Sequence, residues 1–248
     1  MKVVYPSAKK FANVMSALSN FFDELAIVFD EEGMKFKSMD VSRVLLVSMK
    51  IPKSEFEVYD VEGREVVGVS MDVFAKVLKR AGPKDSIGME FDGSVLTVSF
   101  IGKSKRVFRL GVIDVDEMEL DIPELPYTAM VEVDSKVFSE VVSDAKVVSP
   151  DGSIKMKITK NGELIMSSES EVSEYSFTLS PMDEALLDYK VDDDGYGLYG
   201  LAYLKDLAKL VKVAPKMKIK LGNELPLHIN VNDGSSEIEV LLAPRLEE

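Results

Sequence analysis

Two short segments about half the chain apart nearly repeat one another, and this repeat limits the fold more than any other feature of the 248 residues. Ala75 to Lys79 reads AKVLK, Ala208 to Lys212 reads AKLVK, and Pro83 and Pro215 follow them within a few residues. Around each copy the same order recurs, with a strand, a short helix and hairpin strands before it and further strands after it. A duplicated domain explains this order.

Strand-like runs make up most of the sequence and are separated by turn dipeptides that end in glycine. Hairpins are expected at most of these dipeptides, which are Glu62-Gly63, Asp92-Gly93, Asn161-Gly162 and Asp233-Gly234. Apolar residues at spacings of three and four predict four helices, from Ser7, near Asp72, over Asp134 to Val142, and from Tyr203. The sequence therefore predicts an α+β fold of two similar domains, each an antiparallel sheet with two helices on one face.

An acidic segment containing prolines separates the two halves. Pro123 and Pro126 disfavour a helix or a central strand there. We therefore predict an N-terminal domain over residues 1–114, an exposed connector over residues 115–126 and a C-terminal domain over residues 127–248. The connector also contains apolar residues, which a purely solvated linker does not need; they are Met118, Leu120, Ile122 and Leu125. The apolar tail over residues 241–246 is either a last edge strand or a docking surface.

The formal charge of −13 argues against a nucleic-acid partner, because the phosphate backbone requires Lys and Arg. Some bases are nevertheless aligned on predicted helices. They are Lys9 and Lys10 on the first helix, Lys76, Lys79 and Arg80 on the second, and Lys205, Lys209 and Lys212 on the fourth. A solvated helix face is one interpretation. The other is a surface that binds the backbone of duplex DNA, which the recurrence of the stripe in both halves supports.

Groups that could carry catalysis are scarce. The chain has no Cys, and its single His, His228, lies in a strand-like alternation where a structural or surface role is expected. The acidic run Asp192 to Asp194 lacks the ligand spacing of a calcium loop and is expected to be a solvated turn. We therefore predict no enzymatic activity, no catalytic residue, no metal and no cofactor. A carboxylate-based hydrolase remains the alternative, because an acid pair formed by folding has no sequence signature.

The cellular location is predicted from two features. Met1 to Lys10 lacks the apolar core of a signal peptide, and no apolar run approaches the roughly 20 residues that span a bilayer. An intracellular, cytoplasmic protein without a membrane partner is therefore expected. The lack of Cys and Gln leans towards a thermophilic source.

Several motifs, in order along nearly the whole chain, resemble the sliding clamp family of archaea and eukaryotes, the proliferating cell nuclear antigen type. They are Ser38-Met39-Asp40 with Val44, Gly68-Val69, Lys76 to Gly82, Ile122-Pro123-Glu124 with Tyr127, and Leu242 to Arg245. The resemblance implies a ring of three subunits whose helices line a hole for duplex DNA and whose sheets form the outer wall. It also implies a processivity factor for DNA replication and repair, acting at the nucleoid.

The resemblance assigns residues to two protein contacts. A pocket for a partner peptide under the connector is expected from Met39, Val44, Leu120, Ile122, Pro123, Tyr127, Pro226, Leu242, Ala243 and Pro244. A head-to-tail subunit interface is expected between a strand with Lys105, Val107 and Arg109 and a strand with Tyr175, Phe177 and Leu179. The implied partners are duplex DNA and, through a short peptide motif, DNA polymerase, flap nuclease, ligase and a clamp loader.

Two departures from the family pattern leave alternatives open. The first helix has Asn13 and Ser19 where relatives often carry bases, and the third helix has Glu140 and Asp144 beside its lysines. The inner face of the ring is therefore expected to be unevenly charged. A homotrimer and a heterotrimer with paralogues are both compatible with the sequence, as are a clamp-like ring for checkpoint or repair signalling and a DNA-independent scaffold.

Overall fold

The computed structural model describes residues 1–118 and 122–246, and the chain divides into two compact units. The first unit comprises Met1–Val41, Ser48–Glu119 and Gly234–Glu237. The second comprises Ser42–Val47, Leu120–Asp233 and Ile238–Glu248. The units exchange short segments of sequence, and the predicted boundaries after residues 114 and 126 stay a prediction.

The first unit contains two helices and two antiparallel sheets. Its helices are α1 (Ala8–Leu18) and α2 (Met71–Leu78), and its strands are β1 (Lys2–Tyr5), β2 (Glu24–Phe29), β3 (Gly33–Met39), β4 (Leu45–Pro52, from Ser48 onwards), β5 (Val58–Asp60), β6 (Glu65–Ser70), β7 (Ser86–Phe91), β8 (Val95–Ile101) and β9 (Lys105–Gly111). The strand orders are β5-β1-β7-β8-β9 and β6-β2-β3-β4. The helices pack on each other through the buried rings of Phe11 and Phe74, whose centroids lie 6.3 Å apart in an edge-to-face arrangement.

The second unit has the same composition of elements. Its helices are α3 (Ser135–Val148) and α4 (Leu201–Leu210), and its strands are β10 (Ala129–Asp134), β11 (Ser153–Ile158), β12 (Leu164–Glu169), β13 (Glu174–Leu179), β14 (Leu186–Val191), β15 (Gly195–Gly200), β16 (Lys216–Leu221), β17 (Leu227–Asn232) and β18 (Glu237–Leu242). Asp134 starts α3 by accepting a hydrogen bond from the Lys136 N–H at 2.8 Å. A buried hydrogen bond of 2.9 Å from Ser139 Oγ to the Ala208 carbonyl joins α3 to α4.

The two units match element by element. The order strand, helix, five strands, helix, three strands occurs twice along the chain. The sheet orders match as well, because β5-β1-β7-β8-β9 corresponds to β14-β10-β16-β17-β18, and β6-β2-β3-β4 corresponds to β15-β11-β12-β13. The predicted α+β fold of two similar domains is confirmed.

Some predicted local features are wrong. Helix α3 ends at Val148 and not at Val142, because Val142 and Ala145 continue its buried face past two polar residues. Helix α4 begins at Leu201 and not at Tyr203, since Leu201 already belongs to the buried face. No hairpin forms at Glu62-Gly63, where β5 pairs with β1 and β6 pairs with β2.

The hairpin predictions hold at the three other turns, and at Asp233-Gly234 the neighbouring strands β17 and β18 are joined with a φ of 87° at Gly234. Gly93 joins β7 to β8 and Gly162 joins β11 to β12, with φ angles of 97° and 81° that favour glycine. In the described part of the chain, no helix combines the length and the apolar character needed to cross a membrane.

Candidate functional site

The predicted DNA-binding residues of the first unit lie on or next to α1 and α2. Lys76 on α2 has its Nζ 2.8 Å from Asp72 Oδ2 one turn earlier, and both side chains are largely exposed, at 70% and 71%. Lys79 and Arg80 follow the end of α2 and are exposed. The stripe is therefore present, with one of its lysines paired to an acid on the same helix.

On α1 the two predicted bases differ. Lys9 is exposed, whereas Lys10 is half-buried and its Nζ donates a hydrogen bond of 2.5 Å to Ser235 Oγ. Ser235 belongs to the short segment Gly234–Glu237, which is part of the first unit although it lies near the end of the chain. The hydrogen bond to Ser235 therefore fixes the position of the Lys10 ammonium group, whereas Lys9 is exposed.

In the second unit the bases follow the same plan. Lys205 and Lys209 are exposed on α4, and Lys212 is exposed in the single 3-10 turn Val211–Val213 that follows. Lys209 Nζ lies 2.6 Å from Asp206 Oδ1, but only 14% of the Asp206 side chain is exposed. Each unit thus places its lysine stripe on one helix and the residues directly after it, and pairs one lysine with a nearby aspartate.

Helix α3 brings acids next to the stripe of α4. A groove of about 430 Å³ is lined by Lys136, Ser139, Glu140, Ser143, Asp144 and Lys212. Asp144 Oδ2 accepts a hydrogen bond of 3.2 Å from Tyr175 Oη, and burial together with the charge of Asp144 raises the pKa of Tyr175 to about 12. Acidic and basic side chains therefore share this groove, while the uneven charge expected for the inner face of a ring stays a prediction.

The residues predicted for the subunit interface lie on two edge strands. Strand β9 is the last strand of its sheet in the first unit, and Lys105, Val107 and Arg109 point away from the core, with Val107 51% exposed. The opposite face of β9 is anchored by Phe108, which packs edge-to-face on Phe100 at 5.9 Å. This strand offers both a backbone edge and an exposed face.

Strand β13 is one edge of the four-stranded sheet in the second unit. Tyr175 and Phe177 are half-buried, while Leu179 is only 5% exposed. Leu179 is therefore mostly occupied by packing within its own unit. At Leu179, the groups most available to a neighbouring subunit are therefore those of the backbone.

A cavity of about 400 Å³ lies in the second unit beside the described end of the connector. It is lined by Ile122, Pro123, Glu124, Leu125, Tyr127, Lys220, His228, Glu239 and Leu241. Ile122, Pro123 and Tyr127 belong to the predicted peptide pocket. Tyr127 Oη donates a hydrogen bond of 2.9 Å to the Pro226 carbonyl, which fixes the phenol ring, and burial raises the pKa of Tyr127 well above its ordinary value.

The other predicted pocket residues lie in several places. Leu242 is fully buried, and its neighbour Leu241 lines the cavity. Ala243 is half-buried, as is Pro244 after it, and the Ala243 N–H donates to the Val44 carbonyl at 2.8 Å. Met39 ends β3 in the first unit, and Leu120 lies outside the described residues.

The acidic run before β15 has an ordinary structural role. Asp194 pairs with Lys157 at 2.9 Å and Asp193 pairs with Lys160 at 3.0 Å. These lysines lower the pKa values of both carboxyl groups through hydrogen bonds to the side chains. The expected solvated turn is confirmed. Within residues 1–118 and 122–246, no group of three or more His, Cys, Asp or Glu is arranged to hold a metal ion.

Comparison with known proteins places the whole chain in one family. Residues 3–124 match the N-terminal domain of proliferating cell nuclear antigen, and residues 121–245 match its C-terminal domain. The chain belongs to the proliferating cell nuclear antigen family. The family resemblance stated from the motifs is thereby confirmed.

Similar proteins support the same assignment over the full length. The chain is 42% identical over 250 residues to a protein of Thermococcus sibiricus named DNA polymerase sliding clamp, with all of this chain and 99% of the relative covered. A solved structure of proliferating cell nuclear antigen from Thermococcus kodakaraensis matches with a TM-score of 0.92 at 32% identity, covering 98% of this chain and 99% of the other. A chain of the PCNA2-PCNA3 complex of Sulfolobus tokodaii also matches, with a TM-score of 0.92 at 28% identity. The match covers all of this chain and all of that one. The prediction of a sliding clamp of archaeal type is confirmed.

The polar base of the pocket was missed by sequence reasoning about this clamp family member. His228 was expected to be a structural or surface residue, and its 6% exposure and its stacking on Tyr127 agree with a structural role, but its place in the lining of the cavity was not predicted. Lys220 and Glu239 line the same cavity from the neighbouring strands. Strand periodicity offered a signal, because residues opposite each other in β16 and β17 share a face, but the pairing register becomes visible only after folding.

Proposed function

We propose that this chain closes into a three-membered ring around duplex DNA, slides along it and tethers DNA polymerase to the template. One observation carries this proposal. Two strands are paired at one place in the chain, which we call the closed strand pair, whereas their copies in the repeat are two sheet edges in the described part of the chain, which we call the open copy. The relatives named DNA polymerase sliding clamp support the same function. The ring acts through topology and binding, as a processivity factor and not as an enzyme.

The closed strand pair lies within the second unit. There β18 is next to Leu45–Val47 of β4, and the Ala243 N–H bonds to the Val44 carbonyl. By position in the repeat, β9 is the copy of β18, and β13 is the copy of β4. Both copies are sheet edges in the part of the chain that the structure describes.

We infer that β9 of one subunit pairs with β13 of the next in the way that β18 pairs with β4. Such a head-to-tail contact uses two different surfaces and closes into a ring when its rotation allows. It also covers two edges that otherwise invite unspecific pairing. Lys105, Val107 and Arg109 on one side then face Tyr175, Phe177 and Leu179 on the other.

The subunits of the ring are this chain alone or this chain with paralogues. The Sulfolobus tokodaii relative is a complex of two different clamp proteins, which makes a mixed ring a real alternative for this family member. The same interface argument applies to both cases, because β9 and β13 of each subunit meet a neighbour. Mass measurement with and without a paralogue distinguishes them.

We propose that the lysine-bearing helices face the DNA backbone. The contacts come from Lys9, Lys10, Lys76, Lys79, Arg80, Lys205, Lys209 and Lys212. Two of these lysines are already paired with aspartates, so the hold on phosphates is modest and depends on salt. A modest hold suits a ring that must slide, because enclosure and not affinity keeps it on the duplex.

We further propose that the cavity beside the connector binds a short peptide of partner proteins. Ile122, Leu125 and Leu241 supply apolar surface, and the exposed Pro123 and the Tyr127 ring border it. Burying apolar surface there contributes roughly 25 cal/mol per Å² to the binding free energy. After the cost of ordering the peptide is subtracted, the remaining affinity suits partners that exchange with one another. DNA polymerase, flap nuclease, ligase and the clamp loader are the proposed partners, at the nucleoid.

The topological mechanism has a direct test. The protein is loaded by a clamp loader onto nicked circular duplex DNA, and the complex is passed over a gel-filtration column before and after one restriction cut. We expect the protein to elute with the circle and to be released from the linear form at moderate salt. Equal retention on circular and linear DNA, or a purified chain that stays monomeric alone and with its paralogues, contradicts the ring.

A further inference from the structure

The cavity beside the connector has an ionisable base made by three adjacent strands. Lys220 on β16 lies directly opposite His228 on β17, and Glu239 on β18 reaches the histidine, with Oε1 3.4 Å from Nε2. All three side chains line the cavity together with apolar residues. A segment that fills this cavity therefore covers a titratable group as well as an apolar surface.

The His228 ring is held in place on two sides. It stacks on Tyr127 with ring centroids 5.8 Å apart and an angle of 20° between the planes. Tyr127 is itself fixed by the bond from its Oη to the Pro226 carbonyl and by a backbone bond of 2.8 Å to the Leu125 carbonyl. The imidazole cannot swing out of the base of the cavity without disturbing the connector residues that border it.

The two ring nitrogens of His228 are in different situations. Nε2 faces a carboxylate, which can only accept, so the neutral ring carries its proton on Nε2. Nδ1 is buried and has no hydrogen-bond partner among the described residues. Protonation therefore places a second N–H, now on a cation, at a point where the chain supplies no acceptor.

We propose that His228 is a specificity-determining residue of the partner pocket: its neutral form accepts an apolar segment laid over it, and its protonated form disfavours that segment. The inference rests on the proposed pocket and names its chemistry. Covering the ring removes the last water contact of a side chain that is only 6% exposed, so a cation there loses its remaining solvation while its Nδ1–H stays without an acceptor among the described residues. An apolar occupant offers nothing in exchange, so binding selects the neutral imidazole.

The charged and titratable groups around His228 act in both directions. Glu239 on β18 stabilises the protonated ring, and Lys220 on β16 opposes it. Glu124 borders the cavity from the connector, and Tyr127 stays neutral because burial raises the pKa of its hydroxyl. These groups are present with and without a bound segment. The loss of solvent on binding is the change that decides the preference.

Proton linkage makes the inference measurable. A segment that binds the neutral ring must release a proton from any protonated site, so its affinity falls as the solution becomes acidic. One group titrates for each site, which limits the slope to about one logarithmic unit of affinity per pH unit. We expect a roughly tenfold loss of affinity between about pH 7.5 and about pH 5.5, the range in which histidine can change charge.

The probe is a tetramethylrhodamine-labelled synthetic peptide that carries the clamp-binding motif of the family, has blocked termini and contains no His, Asp or Glu. Its anisotropy is measured against wild-type ring, His228→Gln and His228→Phe over this pH range. The wild type is expected to lose affinity on acidification, and both variants are expected to give flat profiles. Glu239→Gln, which removes the group that stabilises the cation, is expected to move the wild-type profile to lower pH.

Calorimetry provides a second readout that a merely structural role does not move. At one mildly acidic pH, binding heats in two buffers of different ionisation enthalpy count the protons released, up to one per site for the wild type and none for His228→Gln. Binding without pH dependence, or an unchanged pH profile in His228→Gln, overturns this inference and leaves the pocket intact. A wild-type ring that binds no peptide at any pH overturns the pocket as well.

Discussion

The two units share one order of elements but give corresponding positions different chemistry. At the fifth residue of β7, Glu90 lies opposite Thr97 of β8. At the fifth residue of β16, Lys220 lies opposite His228 of β17. The same backbone position therefore carries an acid and a hydroxyl in one unit and two nitrogen bases in the other. The backbone repeat preserves the fold, whereas the side chains divide the functions between the units.

The lysine stripes show a subtler difference of the same kind. In the first unit Lys76 pairs with an aspartate whose side chain is 71% exposed, and in the second Lys209 pairs with one whose side chain is 14% exposed. An exposed pair is screened by water and exchanges partners easily. The second pair is more fixed. We therefore expect Lys76 and Lys209 to differ in how easily they leave their aspartate to contact DNA.

The largest effect is expected from breaking the open copy of the strand pair while leaving the closed copy untouched. Val107→Glu places a charge on the exposed face of β9, where the neighbouring subunit is proposed to dock. We expect the dissociation constant of the assembly to rise by about 1,000-fold, because an unpaired charge buried at the centre of an interface costs roughly 3 to 5 kcal/mol. Size-exclusion chromatography with light scattering measures the mass against concentration.

Val58→Glu is the matched control for this variant. Val58 lies on β5, the opposite edge of the same sheet, and is 40% exposed. It should retain the assembly of the wild type. Equal dissociation of both variants points to a general loss of stability, and a fully assembled Val107→Glu variant refutes the β9 interface.

The next largest effect concerns the cavity beside the connector in the second unit. Ile122→Glu or Leu125→Glu puts a carboxylate into the lining of the cavity where an apolar segment is proposed to bind. We expect peptide affinity to fall by about 100-fold or more, because covering the new charge requires its desolvation. Peptide anisotropy measures this, and light scattering checks that the assembly is intact.

Val172→Glu adds the same charge at a residue that is 93% exposed, between β12 and β13. Its peptide affinity should match that of the wild type. Wild-type affinity in both pocket variants excludes this cavity as the binding site.

The repeat made most of the fold predictable from the sequence, because hydrophobic periodicity and turn residues act locally. The near identity of the segments from Ala75 and Ala208 indicated duplication, and the structure has two matching sets of strands and helices. Local patterns failed where tertiary packing decided. The periodicity predicted that α3 ends at Val142, but Ala145 packs inside and the helix continues past the polar residues Ser143 and Asp144.

The candidate site was less predictable than the fold. The lysines were accessible to sequence reasoning because their helical spacing alone places them on one face. Their partners Asp72 and Asp206 were not identified, since the choice between a solvated acid and a pairing acid depends on rotamers. His228 and Glu239 meet across two strands, and such a contact depends on a register that no single segment encodes.

A smaller effect is expected when the lysines of both stripes are removed together. Lys76, Lys79, Lys209 and Lys212 changed to Ala should weaken DNA association by roughly tenfold to thirtyfold, with the salt slope falling by about 0.9 for each lost phosphate contact. Binding to duplex DNA is measured at several salt concentrations, and chemical denaturation should show a stability close to that of the wild type.

The control for the lysine variant removes four exposed lysines from strands and short turns, namely Lys50, Lys53, Lys103 and Lys190. It changes the net charge equally. If the helices make the contacts, its salt slope stays that of the wild type. A helix variant whose salt dependence is unchanged removes these helices from the DNA interface.

The smallest effect separates the two copies of the stripe from one another. Asp72→Asn and Asp206→Asn each release one lysine and remove one negative charge from a helix proposed to face DNA. Because the Asp72 pair is exposed and worth roughly 0 to 1 kcal/mol, phosphate already competes for Lys76, and a gain in DNA affinity of only about twofold is expected. The Asp206 side chain is less exposed, so water and salt screen its pair with Lys209 less. Removing its charge should therefore free Lys209 more completely and raise DNA affinity by about threefold to fivefold. Fluorescence anisotropy with duplex DNA at low salt resolves this difference. Equal gains from the two variants show that the copies meet DNA alike, and a larger gain from Asp72→Asn reverses the proposed order.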